Sequence, residues 1–419
     1  MLSSLQSAWK VGDLRRKILF TLAMFFIFRI GAHIPVPNMD TTKLAELMSG
    51  QLFGFFDVIS GGAFKRFTVF AMSITPYINA SIIMQLLQVV IPKLERLAKE
   101  GEAGRKQITQ YIRYGTVVLG FIQAIGMAIA LGRQGAVIQP GVLNYMIIAI
   151  TLTAGTVFLM WLGELITEKG IGNGISLIIF AGIVSRVPST LVSIFTYISA
   201  GTANLFNAIV LLVIALLVIA AVVAVLEGQR RIPVQYAKRV VGRKVYGGQS
   251  THIPLKVNQA GVIPIIFAMS ILLVPTQIAQ WIPNPTVQKI AGYFNFGSVM
   301  HTILYAGLIV FFTYFYTAVT FNPMDVADNM KKYGGFIPGL RPGRPTGEYI
   351  DRVLTRITLA GAIFLALIAV LPNFVIAATK FTSVWFGGTS LLIVVGVSLE
   401  TMKQVESHLI MRHYQGFIK

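Results

Sequence analysis

Runs of about 17 to 24 mostly uncharged residues recur ten times along this chain, each near the length an α-helix needs to cross a hydrocarbon core roughly 30 Å thick. They fall at residues 18–34, 68–91, 114–131, 144–165, 175–198, 205–226, 261–282, 300–321, 353–371 and 385–402. With 55% hydrophobic residues, 12% charged residues and a mean hydropathy of +0.72, no soluble core of 419 residues could hide the apolar surface. The expected fold class is therefore an all-α polytopic membrane protein with ten spans. Arg15, Arg16 and Lys17 precede the first run as they would in a secretory signal, but no small-residue cleavage site follows, so this run is expected to be a retained helix.

Of the 35 Lys and Arg residues, 27 lie on the amino terminus, the even-numbered connections with their span ends, and the carboxyl terminus. Basic residues stay on the cytoplasmic side, so both termini are expected there. The same surface would also meet anionic lipid, which is a sufficient reading of it without nucleic acid. Zero cysteines exclude disulfides, thiolate metal sites and cysteine nucleophiles.

Ten spans divide into two sets of five, and an odd number per set makes two structural repeats inverted with respect to each other. The expected organisation is an N-terminal half over 1–198, a hinge loop over 199–204 and a C-terminal half over 205–419, although 199–204 also reads as an ordinary external loop. Spans two and seven each place Ile two residues and Ala four residues after a proline, at Pro76-Tyr77-Ile78-Asn79-Ala80 and Pro264-Ile265-Ile266-Phe267-Ala268. A proline within a span kinks it, and matched interruptions in two halves point to a pathway between them. Prolines and isoleucines are also common in membrane helices generally.

Three connections stand out. Residues 51–67 (QLFGFFDVISGGAFKRF) are too short and charged to span and too aromatic for a solvated loop, so they read as a re-entrant segment or as an amphipathic helix on the headgroups. Residues 227–257 and 322–352 are long enough to have a task of their own. VQYAKRVVGRKVYGG reads as a β-hairpin, and GGFIPGLRPGRPTGEY as a rigid projecting turn.

Signatures of covalent chemistry are missing from the sequence. It has no phosphate loop of the Gly-x-x-x-x-Gly-Lys-Ser/Thr type, no His-Glu-x-x-His and no Gly-x-Ser-x-Gly, and its five histidines are scattered. ITEKGIGNGIS follows a membrane run rather than a strand and reads as a tight inter-helix turn. Neither an enzyme nor a bound cofactor or metal is implied. Ion-coupled carriers need carboxylates or histidines within the membrane. Here Arg29 lies near an outer end and Glu164 and Glu400 near inner ends, which favours a passive, hydrophobically sealed conduit. The alternative is a secondary transporter of a small solute.

The segments SITPYINASIIMQLL, KEGEAGRKQITQYIRYGT, ITEKGIGNGISLIIFAGI, QRRIPVQYAKRVVGRKVYGGQSTHIPLKVNQAGVIP and FNPMDVADNMKKYGGFIPGLRPG resemble the bacterial SecY family, in register over essentially the whole chain. The resemblance implies the pore-forming subunit of the Sec translocon. Its two inverted five-helix halves surround an hourglass pore through which unfolded secretory proteins cross the bacterial cytoplasmic membrane. It places a pore ring on Ile78, Ile82, Ile175, Ile179, Ile266 and Ile393, the last with aliphatic neighbours that fit the same position. Ile78 and Ile82 share one helix face, as do Ile175 and Ile179, because each pair is four apart.

The same resemblance makes residues 53–67 a plug, with Phe53, Phe55, Phe56, Val58, Ile59, Gly61, Gly62 and Phe64 as its packing surface and turn. It makes the seam of spans two and three against seven and eight a lateral gate, where Gln85, Gln88 and Ser270 are candidate polar contacts or ordinary interhelical ones. It makes the two long loops a docking surface for the SecA motor or the translating ribosome, with ribosomal RNA as one possible contact. Arg230, Arg231, Lys238, Arg239, Arg243, Lys244, Arg341 and Arg344 would carry it. SecE, SecG, signal sequences and nascent polypeptides are the remaining implied partners.

Overall fold

The structure is a computed structural model that describes residues 9–40, 42–44, 60–201, 204–236, 239–241, 244–246, 250–281, 285–294, 298–379 and 388–416. Of the expected site residues, Phe53, Phe55, Phe56, Val58, Ile59, Lys238 and Arg243 lie outside these.

The first half contains α1 (Gly12–Gly31), α2 (Thr75–Val90), a short α3 (Pro92–Lys99), α4 (Glu102–Arg133), α5 (Val142–Lys169), α6 (Gly174–Val184) and α7 (Val187–Ser199). The second contains α8 (Leu205–Glu227), α9 (Ile263–Trp281), the short α10 (Pro285–Gly292), α11 (Val299–Thr320), α12 (Pro323–Lys332), α13 (Arg344–Thr379) and α14 (Gly388–Gly416). Strands β1 (Gln229–Tyr236), β2 (Arg239–Val241), β3 (Lys244–Tyr246), β4 (Ser250–Lys256) and β5 (Gly335–Phe336) lie in the two long connections.

The helix pairings repeat. In the first half α1 packs on α5 and α6, α2 on α4, α4 on α5, and α5 on α6. In the second half α8 packs on α13 and α14, α9 on α11, α11 on α13, and α13 on α14. With α6 and α7 counted as one broken span, the first-with-fourth, first-with-fifth, second-with-third, third-with-fourth and fourth-with-fifth pairs are common to both. The halves meet where α9 touches α2 and α4, and where α14 touches α6.

Among the described residues six spans are long and apolar enough to cross a membrane, with α6 and α7 counted together as one, or seven if α2 and α3 form one bent span. The expected spans not among those six are α1, α2, α9 and α14. Three of these, α2, α9 and α14, line the contact between halves, where neighbouring helices replace lipid and a continuous apolar surface is not required. The opposite extreme is α8, with mean hydropathy 3.6 and only Val218 and Val222 buried.

Two sequence expectations need correction. The second span does not begin at 68: residues 60–74 form a chain of turns, with Phe67 (φ 44°) and Ser73 (φ 51°) left-handed, and the helix starts at Thr75. Pro76 and Pro264 consequently stand in the first turns of α2 and α9, where a missing N–H costs nothing, and they start helices rather than kink them. The sharp bend lies at Ile91, where α2 and α3 diverge by 102° ahead of Pro92, and the internal prolines are Pro275 and Pro372.

The hairpin reading holds. β1 and β4 are antiparallel from Gln229↔Lys256 to Gln235↔Ser250, and β2 pairs with β3 beyond them. What periodicity could not supply is β5, which adds to the other edge of β1 and so joins the two long connections into one sheet. Ile232, Val234, Leu255, Met330, Ile337 and Ile350 form its small separate core.

Candidate functional site

The site lies where the halves meet. Ile78 of α2, Ile179 of α6, Ile266 of α9 and Ile393 of α14 line one cavity of about 20 Å³, together with Thr75, Ile265, Met269, Ser270, Leu273 and Thr389. Four helices from two halves thus converge on a space about large enough for one water molecule.

Each helix is set by local chemistry. Asn173 caps α6, its Oδ1 accepting from the N–H groups of Ile175 (3.1 Å) and Ser176 (3.3 Å). Thr167 Oγ1 accepts from the Gly174 N–H at 2.9 Å, and the backbones of Gly163 and Gly174 approach so closely that a Cβ on Gly174 would overlap the Gly163 carbonyl. The turn that starts α6 is thereby pinned to α5 and aims Ile179 inward. For α9, Asn258 Nδ2 donates to the Gly261 carbonyl (2.8 Å), and Gly261 takes φ 63° to turn the chain from β4 into the helix. Tyr305 of α11 and Thr389 at the start of α14 share a hydroxyl contact of 3.4 Å.

Ile82 and Ile175, also expected in the ring, do not line this cavity. Ile82 is buried in the same core one turn further along α2, while Ile175 is half-buried and packs against Gly163, where an added Cβ would meet its Cδ1 at 2.5 Å. The sequence reading missed Thr75, Met269, Leu273 and Thr389, whose residue types mark no site and which are distinguished only by where the helices put them. Ser270, expected at the seam, is buried on the cavity itself. Gln85 is half-buried and donates to Ser81 of its own helix at 3.4 Å, and Gln88 is half-buried on the same helix.

Beside α1 and α6, Ser60 to Phe67 form the described end of the aromatic segment. Gly61 (φ 66°) and Gly62 (φ 89°) make the turn, Phe64 is buried, and Ser60 Oγ accepts from the Phe64 N–H at 3.0 Å. The segment is stitched to the chain leaving α1: Val36 N–H donates to the Phe67 carbonyl (3.0 Å) and Val69 N–H to Ile34 (2.9 Å). Stacked Phe28–Phe70 and Phe70–Phe158 rings, 6.1 and 6.0 Å between centroids, hold it against α1 and α5.

At the other end of the spans, Arg230 and Arg231 are exposed on β1, while Arg239 and Lys244 occupy β2 and β3. Arg341 is exposed in the turn after β5, where its carbonyl accepts from Thr346 Oγ1 (2.8 Å), whereas Arg344 pairs with Glu348 on its own helix at 2.9 Å.

The sequence model of the SecY family matches residues 68–402. The protein translocase subunit SecY of Halalkalibacterium halodurans is 50% identical over 430 residues, covering 100% of both chains. Two solved structures share the fold. One is of SecY, described as having a plug domain that stabilises the closed state of the translocation channel and maintains a membrane seal (TM-score 0.68, 19% identity, 94% of this chain and 92% of that one). The other is Sec61 in the canine ribosome–channel complex from the endoplasmic reticulum (TM-score 0.62, 18% identity, 94% and 92%).

Proposed function

This chain belongs to the SecY family, and from that premise we propose how its own residues seal, conduct and release polypeptide. It is a multi-pass membrane protein and the channel subunit of the protein translocase. The observation that carries the reading is the convergence of Ile78, Ile179, Ile266 and Ile393 from four helices on one water-sized cavity. A constriction lined by aliphatic side chains resists wetting and so blocks ions without a fitted charge filter. The same side chains can move aside around a polypeptide of almost any sequence. Ile82 and Ile175 flank this ring and join it only when the halves part.

The segment 53–67 is the plug, seated beneath the ring when no substrate is present. The contact of α9 with α2 and α4 is the lateral gate, flanked by Gln85, Gln88 and Ser270. An apolar segment of about 20 residues is more stable in hydrocarbon than in a wet pore, so an opening there lets it leave sideways. The repeated helix pairings support a division into halves at 1–198 and 205–419, with 199–204 as the hinge between them. The β-sheet of the two long loops is the docking platform for SecA or the ribosome, with SecE and SecG as companion subunits. On this reading the chain resides in the bacterial cytoplasmic membrane with both termini cytoplasmic, in keeping with its 27 basic residues on that side.

Photocrosslinkers at Ile78, Ile179, Ile266 and Ile393 in inside-out vesicles should capture a stalled secretory chain, and one at Leu212 of α8 should not. Capture at Leu212 but at none of the four would overturn the reading.

A further inference from the structure

Arg29 is a charged residue in an apolar helix, and its position has a use. Its Nη1 donates to the Gly61 carbonyl at 2.8 Å and reaches Ser185 Oγ at 3.4 Å, thereby touching the turn of the plug segment and the end of α6 together. Ser185 Oγ in turn donates to the Gly182 carbonyl at 2.8 Å. The turn itself lies hard against α6: a Cβ on Gly61 would stand 2.9 Å from Ser185 Oγ and 3.1 Å from the Gly182 Cα. At φ 66° that position also disfavours any L side chain. One guanidinium thus ties the plug's end to two helices of the same half.

The like charges of Arg66 and Arg186 stand within electrostatic reach of Arg29. Arg66 belongs to the plug segment and Arg186 follows Ser185 directly. A single hydrogen bond from a guanidinium to a neutral carbonyl is a modest interaction that can break. Crowding by two further guanidiniums opposes it, and a contact under opposing charge is one that can be released.

We propose that Arg29 is the positioning residue of the plug, a latch whose bond to the Gly61 carbonyl holds the segment in its closed seat and whose rupture accompanies opening. This rests on the plug reading given above. It adds that closure depends on one charge-assisted hydrogen bond from α1 in addition to the apolar packing of the plug. Gly61 is the matching half of the latch, since only a bare backbone brings its carbonyl between Arg29 and α6.

The test is the resting conductance of the purified translocase in planar bilayers, with a deletion of residues 55–64 as the reference for a lost plug. Arg29→Ala should raise conductance on the order of tenfold, the effect of losing a hydrogen bond to a charged donor. Arg29→Lys, which keeps a donor, should restore most of the seal. Gly61→Ala, a loop substitution with Arg29 intact, should leak like Arg29→Ala and covers the case in which the latter does not assemble. In the deletion background Arg29→Ala should add nothing. Wild-type conductance in Arg29→Ala and Gly61→Ala alongside a leaking deletion overturns the latch and leaves the plug reading standing. A deletion without leak overturns the plug reading itself. Leaks that add in the combined variant assign Arg29 a general structural role and also overturn the latch.

Discussion

Tyr236 and Gly335 stand opposite each other in the antiparallel register of β1 and β5, and a Cβ on Gly335 would meet the Tyr236 ring at 2.9 Å. This pair joins the two long connections. Arg230 and Arg231 on β1 and Arg341 in the turn after β5 therefore belong to one sheet and its flank.

Gly335→Val should loosen that joint. The β-branched side chain must displace the Tyr236 ring, and we expect SecA-stimulated translocation to fall severalfold while the amount of protein in the membrane is unchanged. Equal transport by variant and wild type in vesicles would show that the sheet does not need to be continuous.

Arg341→Glu should cut SecA-dependent translocation by about tenfold or more, since reversing an exposed contact charge replaces attraction with repulsion. Arg344→Glu should do less to docking, because Arg344 is already engaged with Glu348. The paired transport assay checks both. A larger effect at 344 than at 341 would reassign the contact.

Ile393→Asn should raise resting ion conductance on the order of tenfold, because a polar side chain lowers the cost of wetting by about 1–3 kcal/mol. Ile393→Val should leave it near wild type. The same pair at Ile82, which lies off the cavity, should show a smaller contrast in the bilayer recording.

Gly174→Ala should destabilise the fold, since its Cβ would overlap the Gly163 backbone and neither partner is a side chain that can swing aside. The cost is about 1–3 kcal/mol for overpacking of this kind. A lowered thermal midpoint in detergent is the readout, and an unchanged midpoint would refute the tight α5–α6 contact.

Arg113 and Glu164 pair across α4 and α5 at 2.8 Å, with side chains 48% and 23% exposed. Partial exposure keeps their coupling near the surface range, about 0.5–1 kcal/mol. A double-mutant cycle of Arg113→Gln and Glu164→Gln in detergent unfolding checks it, and a coupling of several kcal/mol would contradict the exposure.

Whether a run of residues enters the membrane, and which way it faces, is a sum of local terms: transfer of each side chain and the placement of Lys and Arg at its ends. Those terms are written in the chain, so the helical class, the hairpin and the recurrence of spans were legible before any coordinates, and Ile78, Ile179, Ile266 and Ile393, which line one cavity, were named only through the family register. Contacts between residues far apart in sequence were not legible. Pro76 reads as a kink until one sees that 60–74 is a chain of turns and the helix begins only at Thr75. Ile82 and Ile175 share a helix face with Ile78 and Ile179, yet the space between four helices admits only one of each pair. Arg29, Gly61 and Ser185 are brought together across 156 residues by the packing of α1 on α6, and no spacing rule connects them. Sequence alone determined that this chain crosses a bilayer many times and that its basic residues gather on one set of connections. Tertiary structure decided which isoleucines face one another and what holds the turn at Gly61 in place, because those depend on the meeting of helices rather than on the chemistry of any one of them.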